Sequence, residues 1–209
     1  MSLSGLRVKR REAVAEMLVE AAEQVISEKG YERATMQDIA TAAGCATGTL
    51  YLYFKTKEDL FNAMVAKHCS AIVELAQAAM DAQASPVGKL RAKIEATTDY
   101  FERHPQFYRV FYVAGPTVKA TIQQSLHDEA LEVYQALRQA ETEVVAAGQR
   151  QGLVRSDIAA DELVDFMHAL CVGTTARWIT TGRVPPRAEQ TRLLWAVTSS
   201  MLGIREEQR

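Results

Sequence analysis

Thr35-Met36-Gln37-Asp38-Ile39-Ala40-Thr41-Ala42-Ala43-Gly44-Cys45-Ala46-Thr47-Gly48-Thr49-Leu50-Tyr51-Leu52-Tyr53-Phe54 sets the architecture of this chain. Thr35 and Asp38 stand at the spacing of a capping box, with Asp38 in place of the usual Glu, and so open a helix. Gly44 stops that helix after about two turns, because glycine readily takes the left-handed conformation that ends helices. A second short helix begins near Ala46 or Thr47 and runs to Phe54. Thr56-Lys57-Glu58-Asp59 repeats the capping pattern and opens a long helix with Leu60, Phe61, Met64, Val65, Ile72 and Leu75 on its apolar side.

Upstream, apolar residues fall at Val14, Met17, Leu18, Ala21, Val25 and Ile26, opposite Glu12, Glu16, Glu20, Glu23 and Glu28. This spacing predicts one amphipathic helix over 10–29, closed by Gly30 at the C′ position. Downstream, Ser85-Pro86, His104-Pro105, Gly115-Pro116, Gly152 and Gly182 with Pro185-Pro186 divide the chain into segments of helical pattern. These run near 87–103, 106–114, 117–148, 159–181 and 187–202, with Asp157 the expected N-cap of the fourth. Composition agrees: 32 alanines against 16 glycines and prolines in 209 residues favour helix throughout. The expected fold is all-α, with an N-terminal three-helix unit over 1–56 and a C-terminal helical part over 57–209. Collagen-like, disordered and disulfide-stapled classes are excluded.

Charge narrows the function classes. Residues 1–57 carry 8 basic and 7 acidic groups and residues 58–209 carry 16 and 19, so the chain is no general polycation. Arg7, Lys9, Arg10 and Arg11 form a basic cluster with no apolar stretch behind it, which is not a secretory signal. The longest uncharged run, Ile39–Phe54, is 16 residues, too short and too polar for a membrane span. Cys45, Cys69 and Cys171 are odd in number and lack Cys-x-x-Cys spacing, which fits reduced thiols in a cytosol. His68, His104, His127 and His168 show no metal-ligand spacing, and no Gly-rich phosphate loop, Gly-x-Ser-x-Gly or His-Glu-x-x-His is present. The expectation is a cytoplasmic protein that is not an enzyme, without cofactor, metal or membrane partner.

Two short helices joined by a glycine turn and braced by longer helices describe a helix-turn-helix. Ile39, Ala40, Ala43, Leu50 and Phe54 are apolar where two crossed helices touch, and the alanines permit close approach. Gln37, Thr47, Thr49, Leu52 and Tyr53 remain for an outer face. A charge-free stretch of hydroxyls, amides and methyls suits base edges in a major groove, with cations at the rims. Those rims are Arg7 to Arg11 and Lys55 with Lys57. Taken alone, Lys57 fits a solvated lysine offset by Glu58 and Asp59 as well as it fits a phosphate ligand.

The run from Thr35 to Phe54, followed by Lys57-Glu58-Asp59-Leu60, resembles the TetR family of bacterial transcriptional regulators. The resembling pattern is Thr, three residues, Ile-Ala, two residues, Gly, then Gly at position 48, Tyr51, Tyr53-Phe54 and Lys57-Glu58-x-Leu60. With the first helix it covers about residues 10–65. By position, the resemblance implies phosphate contacts at Thr35, Tyr51, Tyr53 and Lys57. It implies base-facing roles for Gln37, Thr47, Gly48, Thr49 and Leu52. Ala46 replaces the serine usual at the cap of the recognition helix, leaving Thr47 as the next residue able to cap. Gly48 reads either as close approach to DNA or as a packing glycine.

The resemblance further implies a homodimer on a palindromic double-stranded operator and a small-molecule effector held in the C-terminal helices. The implied dimer helices carry Leu163, Phe166, Met167, Leu170 and Cys171, then Leu193, Leu194, Val197 and Met201. Six of the 15 aromatics crowd between Tyr100 and Tyr112, either as ordinary core or as a cavity wall. The expected effector lining is Phe101, Phe107, Tyr108, Phe111, Tyr134 and Trp178, with His104 and His168 as polar handles, a mixture suited to a hydrophobic or aromatic ligand. Tyr31, Phe54, Phe61 and Cys45 read as core. A ligand-released repressor is the expected function. An activator on the same fold and a helical adaptor without DNA binding are the alternatives.

Overall fold

The computed structural model describes residues 3–113 and 128–204. Along the chain run α1 (Leu3–Lys29), α2 (Met36–Ala42), α3 (Thr47–Tyr53), α4 (Lys57–Asp81) and α5 (Pro86–Arg103). Then follow α6 (Pro105–Val113), α7 (Asp128–Arg150), α8 (Ala160–Thr180) and α9 (Arg187–Met201), with no strand among the described residues. The expected all-α class holds. The described residues form two compact units, one drawn from Met1–His68 and Gln106–His127, the other from Cys69–Pro105 and Asp128–Arg209. The expected division at 56/57 coincides with the start of α4, whereas these units divide after His68, inside that helix.

Element boundaries follow local chemistry, with two departures. α1 begins at Leu3 rather than near Arg10, since neither proline nor a capping residue interrupts the helix there. Asp157 does not cap α8: the N-cap is Ala159, without a side-chain bond. Arg155 holds Asp157 instead, donating from Nε at 2.7 Å and from its terminal nitrogen at 2.6 Å, a charge-assisted fork that competes successfully with a single cap bond. The expected helix over 117–148 is described only from Asp128 onward.

In the first unit α1 packs on α2 and α2 on α3. Leu18, Ala22, Ile39, Ala40, Leu50, Leu60, Phe61 and Met64 are wholly buried there, and the Tyr31 ring meets Phe61 edge-on at 4.8 Å. His68, also buried, sits with Nε2 2.8 Å from Glu23 Oε2 and stacks on Phe107 at 3.9 Å.

The second unit packs α5 on α7 and α9, and α8 on α7 and α9. Its core holds Leu90, Ile94, Val145, Leu163, Val164, Met167, Trp178, Leu194, Trp195 and Leu202. The expected dimer stripe is split by this packing. Leu163, Met167 and Leu194 are buried in the unit's own core, while Phe166 and Val197 are 53% and 50% exposed. Leu170, Leu193 and Met201 are half-buried. Each of α8 and α9 carries two apolar stripes, one facing in and one facing out, and the sequence pattern merges them.

An ionic cluster lies inside this unit. Lys93 Nζ of α5 is 2.7 Å from Glu141 Oε1 of α7, and His168 Nε2 of α8 is 2.6 Å from Glu141 Oε2. Glu141 is completely buried. Burial pushes its carboxyl up, but Lys93 and then His168 outweigh that and hold it at about 2. Burial also pushes the Cys69 thiol up to about 11 and raises that of Cys171, which keeps both protonated and unreactive near neutral pH.

Candidate nucleic-acid interface

The local geometry of residues 35–57 follows from its caps. Thr35 Oγ1 accepts from the Asp38 backbone N–H at 3.1 Å, and Asp38 Oδ2 accepts the Thr35 N–H at 3.1 Å and its hydroxyl at 2.8 Å. Lys29 Nζ adds an ion pair to Asp38 Oδ1 at 2.7 Å. The hydrogen bonds from Lys29 and Thr35 hold the Asp38 carboxyl at about 2. At the other end of α2, Gly44 has φ +66°. The Cys45 N–H reaches Ala40 O at 2.9 Å and the Gly44 N–H reaches Thr41 O at 3.1 Å, the paired bonds of a Schellman turn. This turn crosses α3 over α2 with Ile39, Ala40 and Leu50 shut between them. The second box also forms: Thr56 and Asp59 exchange two bonds of 3.0 Å and open α4.

Around this frame the expected contact residues sort by accessibility. Gln37 and Gly48 are exposed, Thr47, Thr49 and Tyr53 are half-buried, and Tyr51 and Leu52 are 45% and 71% exposed. Leu52 is a large apolar side chain left in solvent on a charge-free helix. A Cβ built on Gly48 would meet nothing within 4 Å, and its backbone is ordinary helix, so neither packing nor conformation requires glycine there. Arg7, Lys9, Arg10, Arg11 and Lys55 are exposed at the margins.

Four expected contacts, Thr35, Gln37, Thr47 and Lys57, have partners within the protein. The Thr35 hydroxyl belongs to the capping box. Thr47 does not cap α3, whose N-cap is Ala46 without a side-chain bond. Its hydroxyl instead donates to Gln37 Oε1 at 2.5 Å, tying the two short helices together at their outer face. Lys57 Nζ donates to the carbonyls of Tyr31 at 2.7 Å, Ala34 at 3.0 Å and Glu32 at 3.4 Å, and lies 4.4 Å over the Tyr31 ring. Its three donors therefore brace the α1–α2 connection against α4. The sequence reading omits Thr41, whose Oγ1 donates to Gln37 O at 2.8 Å and lies 3.5 Å from Gln37 Nε2. The four-residue spacing from Gln37 is the signal that points to it.

The expected effector residues divide between the two units. Phe107 is packed beneath His68 in the first. In the second, Trp178 belongs to the core, His168 is bonded to Glu141, His104 stacks on Tyr100 at 4.3 Å, and Phe101 meets Tyr100 edge-on. The side chains of Tyr108, Phe111 and Tyr134 lie outside the described residues. A cleft of about 680 Å³ between α5 and α9 is lined by Arg91, Glu95, Glu102, Arg187, Arg192 and Trp195 among others, and by none of the expected eight.

A Schellman-turned pair of short helices with an uncharged outer face defines a helix-turn-helix DNA-binding protein. Residues 18–64 match the model of the bacterial regulatory proteins of the tetR family, and residues 86–188 match the tetracyclin repressor-like C-terminal domain. The chain belongs to the TetR family of transcriptional regulators. It is 33% identical over 122 residues to the HTH-type transcriptional activator FasR of Mycolicibacterium smegmatis, a match spanning 56% of this chain and 55% of that protein. It is 29% identical over 171 residues to the HTH-type transcriptional repressor NicS of Pseudomonas putida, spanning 80% and 78%. The fold is shared with the crystal structure of FadR from Bacillus subtilis in complex with stearoyl-CoA. The TM-score is 0.75 at 19% identity, covering 89% of this chain and 98% of that one. The chain is thus a DNA-binding transcriptional regulator.

Proposed function

We propose that this regulator is a homodimeric, cytoplasmic repressor that holds a palindromic operator and releases it when a small hydrophobic or amphipathic effector binds. The observation that carries the reading is the outward apolar stripe on α8 and α9, where Phe166 and Val197 are half in solvent beside half-buried Leu170, Leu193 and Met201. Two copies joined across that stripe form a four-helix interface, and twofold symmetry then demands a palindromic site. Residues 1–56 read the DNA, through the α2–α3 face and its basic margins, and residues 57–209 carry the dimer and effector functions. Repression is favoured over activation because the match to the repressor NicS runs over 78% of that protein, against 55% for the activator FasR. The stearoyl-CoA complex of the similarly folded FadR supports an effector with a long apolar part. The protein acts by binding and not by turnover.

Release is a shift between two states, and near-complete release needs an effector preference of about 5.5 kcal/mol for the state that does not fit DNA. Selection of bound sequences from random duplexes tests the first half of the reading; a palindrome is expected. The selected complex is then challenged with stearoyl-CoA and with a panel of hydrophobic aromatics, followed by a promoter fusion with and without the effective compound. Transcription that rises when the effector is added supports repression. Compounds that stabilise the free protein yet leave operator affinity unchanged would overturn the effector mechanism.

A further inference from the structure

Gln37 stands at the centre of a closed set of hydrogen bonds on the exposed face of the helix-turn-helix. The Thr41 hydroxyl donates to the Gln37 backbone carbonyl at 2.8 Å, so its single hydrogen is committed and its oxygen is left as an acceptor. An acceptor there selects the amide nitrogen of Gln37, which lies 3.5 Å away. The amide oxygen consequently faces α3, where the Thr47 hydroxyl donates to it at 2.5 Å. A glutamine amide left free flips between two orientations; here the two threonines impose one.

We infer that Thr41 and Thr47 lock Gln37 as a one-way reader, a hydrogen-bond donor that selects a base edge made of acceptors, guanine before thymine. The inference rests on the reading of α2 and α3 as the DNA-contacting face. A free glutamine suits adenine, because its oxygen accepts from N6 while its nitrogen donates to N7. In this chain the Thr47 hydroxyl already occupies one of the two lone pairs of that oxygen, which weakens it as an acceptor, while one of the two amide hydrogens is left over from the contact with Thr41. Guanine presents N7 and O6, both acceptors, and thymine presents O4; adenine brings an N6–H₂ that must share the amide oxygen with Thr47, and cytosine offers only a donor. Thr41 and Thr47 are positioning residues: they act through the amide they orient. A small hydroxyl on α3 thereby decides which base a residue on α2 reads.

The test is selection of DNA from random duplexes by the full-length chain and by four variants, with a thermal melt of each to confirm folding. The wild-type chain should enrich a palindrome with guanine or thymine at one position per half-site. Thr47→Val removes the hydroxyl at nearly constant shape, so adenine should enter at that position and the guanine-to-adenine ratio should fall about tenfold, the scale of one hydrogen-bond match. Thr47→Ser should restore the wild-type ratio, which a purely structural role for the threonine methyl would not do. Gln37→Glu replaces the donor by an acceptor and should move the preference to cytosine. Thr41→Val should loosen the same position and serves if Thr47→Val melts early. A wild-type palindrome with adenine at the Gln37-dependent position, or base frequencies unchanged in both valine variants, would overturn the inference. Failure of the wild-type chain to enrich any sequence would overturn the DNA-contacting face itself, and the inference with it.

Discussion

Lys93→Met isolates the energetics of the ionic cluster in the second unit. Methionine keeps most of the apolar stem of lysine and removes only the ammonium, which stands 2.7 Å from a carboxylate with no solvent exposure. Removing one member of a buried pair leaves an uncompensated charge and costs about 3–5 kcal/mol. His168 remains 2.6 Å from the other carboxylate oxygen as a hydrogen-bond partner, so the lower end, about 3 kcal/mol, is expected here. For a chain of this size that is a fall of roughly 6–12 °C in melting temperature, read by scanning calorimetry or circular dichroism. The pH dependence follows from the sign of the shift. In the folded protein Glu141 sits at about 2, below its ordinary value of 4.5. Its contribution to stability is therefore full above that ordinary value and is lost as pH falls towards the folded value. In Lys93→Met the carboxyl rises, because burial now faces one partner instead of two. The gap between variant and wild type should be widest at neutral pH and narrow below about pH 4. Adding Glu141→Leu to Lys93→Met should recover most of the loss, since an apolar replacement of the whole pair is close to neutral. A single variant melting within about 2 °C of wild type at pH 7, or a double variant no more stable than the single, would refute the buried-charge account.

Other tests address the DNA-binding face and the dimer. Gly48→Ala adds a methyl that meets nothing in the protein, so helix propensity should hold or raise stability by up to ~0.5–1 kcal/mol. Affinity for the selected operator should fall at least about tenfold if the backbone of α3 lies against the groove; unchanged affinity in fluorescence anisotropy places that turn away from the DNA. Lys57→Gln withdraws the charged donor from the carbonyls of Tyr31, Glu32 and Ala34 and should destabilise the first unit by about 1.5–3 kcal/mol in urea melts. The salt dependence of DNA binding should stay the same, and a slope reduced by about one phosphate would instead make Lys57 a backbone contact. Phe166→Glu and Val197→Glu should give a folded monomer by light scattering at micromolar concentration, whereas Leu163→Glu, in the core, should unfold the chain.

Features under short-range chemical control were readable from residue order. Thr35 with Asp38, Thr56 with Asp59, and Gly30 and Gly44 sit at spacings that close hydrogen bonds within one turn, so α2, α3, the start of α4 and the turn between the short helices were legible before any tertiary contact was known. The apolar pattern likewise marked Ile39, Ala40 and Leu50 as the seam. What it left open depends on which atoms meet across the fold. Lys57 reads as a cation on a helix end, yet three carbonyls some 23 to 26 residues upstream claim its ammonium. Thr47 reads as a cap or a base contact, yet a glutamine ten residues earlier takes its hydroxyl. Leu163 and Phe166 are equally apolar and three residues apart, and only packing turns the first inward and the second out. Lys93, Glu141 and His168 lie on three separate helices with nothing in their spacing to join them. Hydrogen-bond partners and buried charges are properties of surfaces brought together from distant parts of the chain, and tertiary structure alone decides which surfaces those are.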